Sequence, residues 1–169
     1  MTGFGRCDGR IAMGRIDRRL EELGLTLPPP WIPQGNFLPF RREGGLVFLA
    51  GQTCEWEGRV VCEGPVGPGG TEVAIARDAA KVCALNLLYT LRLACDGDLD
   101  RVRTVLRLGG FVNCVAGFDR SPDVVDGATE VFEAVFGDAG RHARTAVGVA
   151  GLPGNAAVEV DAVVAIETG

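Results

Sequence analysis

Apolar positions recur along the chain with two different periods, and these divide it into a series of short elements. Ile16, Leu20 and Leu23 stand at helical spacing before Gly24, which predicts a short helix closed by that glycine. The run LVFLAGQ (46–52) is rich in β-forming residues, and GRVVCEG (58–64) follows it across the connection TCEWE, so the two are expected to pair as a hairpin. A long amphipathic helix begins at Thr71 and places Ala76, Ala80, Cys83, Leu87, Leu91 and Ala94 on one face. The segment RVRTVLRLGGFVNCV reads as a strand in which Gly109–Gly110 marks a bulge or a close backbone approach. A second long helix has Ser121 as N-cap, Pro122 at its first position, the stripe Val125, Ala128, Phe132 and Phe136, and Gly137 as stop. Two final strands, 144–150 and 158–166, flank the loop GLPGNAA.

The order β-β-α-β-α-β-β predicts an α+β fold, a mixed sheet with two helices on one face. In the last strand Val158, Val160, Ala162, Val164 and Ile166 face one way, towards the helices, while Glu159, Asp161, Val163 and Ala165 face the other. A half-apolar sheet face that no helix covers is expected to meet another subunit. Ahead of this domain (35–169), residues 1–12 are Gly-rich and unpatterned, and read as a disordered or over-long extension. Residues 13–34 combine the short helix with a Pro-rich arm, on which Trp31 and the following Phe37 serve as packing anchors.

Composition narrows the function. Seventeen basic residues against 22 acidic ones give a net charge of -5, with no basic stripe, which disfavours nucleic acid as a partner. No apolar run approaches a membrane span and no signal-peptide core opens the chain, so a cytoplasmic protein with reduced thiols is expected. Six cysteines, none in a CxxC pair, and the single His142 argue against a metal site; the cysteines read as small core residues.

Arg144 is the residue that asks for an explanation. A guanidinium is always charged and is costly to bury unless an anion meets it. It is read either as a surface charge or structural ion pair with Glu159, Asp161 or another acid, or as a grip on an anionic substrate. Glu159 alone fits a solvated outward position, and Asp161 beside it allows a carboxylate pair that raises the pKa of one member.

The phrases GGLVFLAGQ, AIARDAAKVCALNLL, DRVRTVLRLGGFVNCVAGF and above all HARTAVGVAGLPGNAAVEVDAVVAIE resemble the Rid family of reactive intermediate deaminases, the YjgF-like or endoribonuclease L-PSP-like proteins. The similarity covers about residues 35–167, and the preceding arm, with PPPW and QGNFLP, together with GRHARTAVGV resembles a longer, less characterised branch of that family. It implies a chorismate-mutase-like fold, a homotrimer with ligand pockets between subunits, and hydrolysis of a 2-imino or 2-enamino acid to a 2-keto acid and ammonia without metal or organic cofactor. The family's carboxylate-binding arginine matches Arg144, its water-positioning glutamate matches Glu159, and the substrate-contacting turn matches Gly51 and Gln52. Several positions depart from the pattern: the pocket tyrosine falls on Phe37, a serine on Ala50, a cysteine on Ala146, and an asparagine before the second helix on Ala116.

The implied chemistry suits these residue types. An arginine fork can donate two parallel hydrogen bonds to one carboxylate, and a glutamate can take a proton from water and return it to a leaving amine. If the last two strands form a hairpin centred near Gly154, Arg144 and Glu159 are not opposed. A shared pocket then lies diagonally along the sheet or draws one residue from a neighbouring subunit, the second being favoured. His142 projects on the same side as Arg144 and reads as a packing residue or a proton donor lining the cleft. The leading expectation is an imine or enamine deaminase binding a small carboxylated ligand; the alternative is a non-catalytic trimer that binds a small acid as a sensor or regulator.

Overall fold

The computed structural model describes residues 13–29 and 35–168. The expectations for residues 1–12 and for Trp31 lie outside these. Helix α1 (Arg15–Glu22) buries Ile16 and Leu20 and is followed by Gly24 at φ 65°. Strands β1 (Phe40–Glu43) and β2 (Leu46–Thr53) precede a two-stranded ribbon of β3 (Glu55–Trp56) and β4 (Arg59–Val60). Helix α2 (Val73–Ala94), strand β5 (Val102–Asn113), helix α3 (Ser121–Phe136), and strands β6 (Ala143–Val149) and β7 (Val158–Ile166) complete the chain.

The five long strands form one sheet in the order β1-β2-β7-β5-β6, with only the β5–β6 pair parallel. Helices α2 and α3 pack together on one face, so the expected α+β sandwich is the fold observed. All six apolar residues assigned to one face of α2 are buried, as are the four of the α3 stripe. Val158, Val160, Ala162, Val164 and Ile166 meet the helices, which leaves Glu159, Asp161, Val163 and Ala165 on the open face. Cys54, Cys62, Cys83 and Cys95 are buried free thiols, and Cys114 is half-buried.

Two expected hairpins are corrected. Segments 46–52 and 58–64 do not pair: Gly44, at φ 55°, turns the chain so that Phe40–Glu43 pairs with Leu46–Leu49. Glu57 and Gly58, at φ 50° and 78°, close a separate tight ribbon in which Glu55 opposes Val60. Nor do the last two strands form a hairpin. Helix α3 carries the chain across the helical face, so β6 returns parallel to β5 at the sheet edge, and β7 then inserts between β2 and β5. At Gly110 the strand approaches α3 so closely that any β-carbon would overlap Val125, whereas the register shifts of β5 fall before Arg107.

Candidate active site

Glu159 owes its position to the irregularity of β2. Leu49 pairs with Ala162 but Gln52 with Val160, so Ala50 and Gly51 bulge opposite Asp161. A β-carbon on Gly51 would overlap the Glu159 carboxylate, which therefore lies directly on the glycine backbone. Burial raises the pKa of Glu159 above the usual carboxylate range, and the charge of Asp161 raises it further. Asp161 is itself paired: Arg107 Nη1 donates to its Oδ1 at 2.7 Å, in a half-exposed ion pair.

The other sequence candidates fall in different places. Gln52 turns its side chain to the helical face, where it is buried and its Nε2 donates to Ala50 O at 3.4 Å. The Pro39 carbonyl accepts a hydrogen bond from Ala50 N at 3.0 Å, which holds the segment bearing exposed Phe37 close to the bulge. Ala116 lines a cleft of about 870 Å³ between the N-terminal ends of α2 and α3, together with Arg77, Phe118 and Arg120.

Arg144 stands on β6 opposite Leu108, so its side chain projects to the helical face, and Glu159 belongs to the open face. The two residues are thus separated by the sheet itself, and the diagonal pocket within one chain is excluded. Nη1 of Arg144 donates to Asp126 Oδ1 at 2.7 Å and to Thr129 Oγ1 at 2.9 Å, both on α3. Among the described residues Nε and Nη2, which share the side-on edge of the guanidinium, have no partner, and neither is a buried unpartnered atom. The Arg144 side chain as a whole is 22% exposed.

His142 Nδ1 lies 2.6 Å from Gly140 O and Nε2 lies 3.2 Å from Thr129 Oγ1. A carbonyl only accepts, so Nδ1 carries the proton and the Thr129 hydroxyl donates to Nε2 while accepting from Arg144. Phe132 meets the ring edge-on at 6.4 Å. His142 therefore orients Thr129 and, through it, Arg144. Ala146, two residues further on, packs half-buried against the core. Asp126 and Thr129 were not singled out in the sequence; the signal lay in their i, i+3 spacing on the flank of the α3 stripe, which faces β6.

Among the described residues, no cluster of three or more His, Cys, Asp or Glu side chains could hold a metal ion. Among the described residues, no helix is long and apolar enough to cross a membrane. Residues 17–164 match the family described as "YjgF/chorismate mutase-like, putative endoribonuclease". The chain belongs to the YjgF family.

Its YjgF relatives include protein TCP17 of Trypanosoma cruzi, 39% identical over 155 residues that span 91% of this chain and 96% of the relative. A crystal structure of an Agrobacterium tumefaciens protein of unknown function is 41% identical with a TM-score of 0.82, over 90% of this chain and 94% of that one. A Shewanella oneidensis structure, named as an endoribonuclease of the same provisional kind, is 28% identical with a TM-score of 0.84, over 89% and 99%. The YjgF fold seen here is therefore shared along nearly the full length of each.

Proposed function

We propose that this protein hydrolyses a reactive 2-imino or 2-enamino acid to a 2-keto acid and ammonia, in clefts between the subunits of a homotrimer. The observation that carries this reading is the Glu159 carboxylate, half-buried on the Gly51 backbone with raised proton affinity, on a sheet face that none of the described helices covers. A carboxylate of raised pKa holds a proton more readily than a free one, which suits it to take a proton from water and return it to a leaving amine. The same open face exposes Leu46, Phe48 and Val147, an apolar surface suited to a neighbouring copy.

In this arrangement Arg144 of one copy meets Glu159 of the next. The free Nε–Nη2 edge of Arg144 grips the substrate carboxylate bidentately. Glu159 orients a water on the imine carbon and accepts its proton as the C–O bond forms. Return of that proton to nitrogen gives the carbinolamine, and transfer of its hydroxyl proton to nitrogen, again through Glu159, breaks the C–N bond, releases ammonia and leaves the keto acid. Because imines are intrinsically reactive, positioning supplies most of the acceleration required. A nuclease reading suits the chain less well, since its net charge of -5 opposes a polyanion.

A second reading, a non-catalytic trimer that binds a small acid, is favoured by one feature: Arg144 already has an acidic partner in Asp126. The test generates 2-imino acids in place with an amino-acid oxidase and follows keto-acid release against trapping by semicarbazide. Acceleration by wild type, lost in Arg144→Ala and Glu159→Gln, is the expected result. No acceleration over a broad panel, with keto-acid binding retained, selects the second reading.

A further inference from the structure

A threonine inside a helix commonly turns its hydroxyl back onto its own helix. Thr90 does so on α2, where Oγ1 donates to the Asn86 carbonyl four residues earlier at 3.0 Å. Thr129 on α3 does not. Among the described residues its hydroxyl meets no carbonyl of α3, and Oγ1 lies 3.2 Å from His142 Nε2 and 2.9 Å from Arg144 Nη1.

The histidine accounts for the diversion. With Nδ1 at 2.6 Å from Gly140 O and carrying the ring proton, Nε2 is left as an acceptor for the threonine hydroxyl. Gly140 gives this anchor a fixed place, because a β-carbon there would overlap the Phe132 carbonyl of α3. Phe132 also closes on the imidazole edge-on. Both ring nitrogens are therefore spent within the protein, and in this arrangement His142 has no proton to offer a ligand.

The donors of Arg144 show what the threonine adds. Nη1 of a guanidinium carries two N–H groups. Asp126 Oδ1 at 2.7 Å and Thr129 Oγ1 at 2.9 Å, three residues apart on α3, accept both, so Nη1 is filled. Held by Asp126 alone, the group could pivot about a single hydrogen bond. Held by both, its plane is fixed, and Nε and Nη2 are what remains for a carboxylate.

We propose that His142 is a positioning residue for ligand binding: by accepting the Thr129 hydroxyl it keeps that side chain off its own helix, turns the threonine oxygen to Nη1, and so sets the direction of the Nε–Nη2 edge. This role rests on the reading of Arg144 as the carboxylate grip. Without the Nε2 acceptor, Thr129 is expected to return to the Val125 carbonyl four residues back, as Thr90 does to Asn86. In this role His142 touches no ligand. Its loss weakens the hold on the carboxylate in ground state and transition state alike, and is read in KM rather than in kcat.

The experiment is calorimetric binding of 2-oxobutanoate, 4-methyl-2-oxopentanoate and phenylpyruvate to the full-length protein and its variants, with KM and kcat from the imine assay alongside. Two substitutions separate the ring nitrogens, since an asparagine amide overlays Nδ1 and a glutamine amide overlays Nε2. His142→Gln keeps an acceptor for Thr129 and is expected to bind the best keto acid within about threefold of wild type. His142→Asn keeps only the bond to Gly140 and is expected to bind it about tenfold more weakly, with KM raised and kcat unchanged. Thr129→Val should match His142→Asn, and the two combined should lose no more than either alone. Equal affinities of the Gln and Asn variants, wild-type binding by Thr129→Val, additive losses in the double variant, or a fall in kcat at constant KM would overturn the proposal. Should His142→Asn fail to fold, Thr129→Val as a weak binder and His142→Gln as a near-wild-type one decide it. Binding of no keto acid by wild type overturns it together with the carboxylate grip. The expected binding pattern without turnover overturns only the deaminase reading.

Discussion

The carboxylate of Glu159 occupies the space that a side chain on Gly51 would fill. Residue 51 is thus a glycine for a reason internal to the site, since the acid on β7 needs the bare backbone of β2. Gly51→Ala is expected to displace the carboxylate, to lower turnover by about tenfold or more, and to cost about 1–3 kcal/mol of stability through overpacking. Thermal unfolding alongside the imine assay reads both effects.

The raised pKa of Glu159 predicts a pH dependence with a definite sign. The folded protein holds the Glu159 proton more tightly than the unfolded chain does, because of burial and then of Asp161. The associated stability is fully present below the unfolded-state pKa and is lost as pH rises through the higher folded-state value. Glu159→Gln, which is neutral throughout, is therefore expected to match wild type in acid and to melt at a higher temperature near neutrality. Melting curves from about pH 3 to about pH 8 check this.

Arg107 tests the electrostatics from a distance. Its ion pair with Asp161 is half-exposed, so Arg107→Ala should change stability by less than about 1 kcal/mol. Asp161 would then face Glu159 uncompensated and push its pKa higher still. The acidic limb of the pH–rate profile should move to higher pH.

The spacing of the two long helices depends on Gly127, where a β-carbon would overlap the Arg77 carbonyl of α2. Gly127→Ala must separate α2 from α3, at a cost of about 1–3 kcal/mol. A fall in melting temperature of about 3–10 °C is expected.

Because Arg144 and Glu159 lie on opposite faces of one sheet, the proposed clefts can be rebuilt by mixing. Homotrimers of Arg144→Ala and of Glu159→Gln are each expected to be inactive. Refolded together in equal amounts they should recover roughly a quarter of the wild-type rate, since about one cleft in four regains both residues. No recovery in mixed trimers verified by mass would count against a site shared between copies.

The helices were legible in the sequence because their signals are local. The stripe from Val125 to Phe136, Pro122 and Gly137 lie within one segment, and α3 has its buried face where that stripe predicts. Strands β2, β5, β6 and β7 were legible in the sequence, but β1 was not, and neither were their partners. Nothing near Val149 or Val158 records that β5 passes between them, since register is decided by the crossover of α3 over the sheet. The same applies at the site. Arg144 and Glu159 stood out by residue type and by family resemblance, whereas Asp126 is an ordinary acid on a helix flank until the fold brings β6 against it.

The bulge at Ala50–Gly51 makes irregularity itself a property worth preserving. Deletion of Gly51 would let β2 and β7 run in unbroken register, and the shortened sheet would gain order. It would also remove the glycine on which the acid rests and shift the end of the strand by one step. A designer optimising this fold for regular hydrogen bonding would therefore arrive at a sturdier scaffold with no seat for its acid.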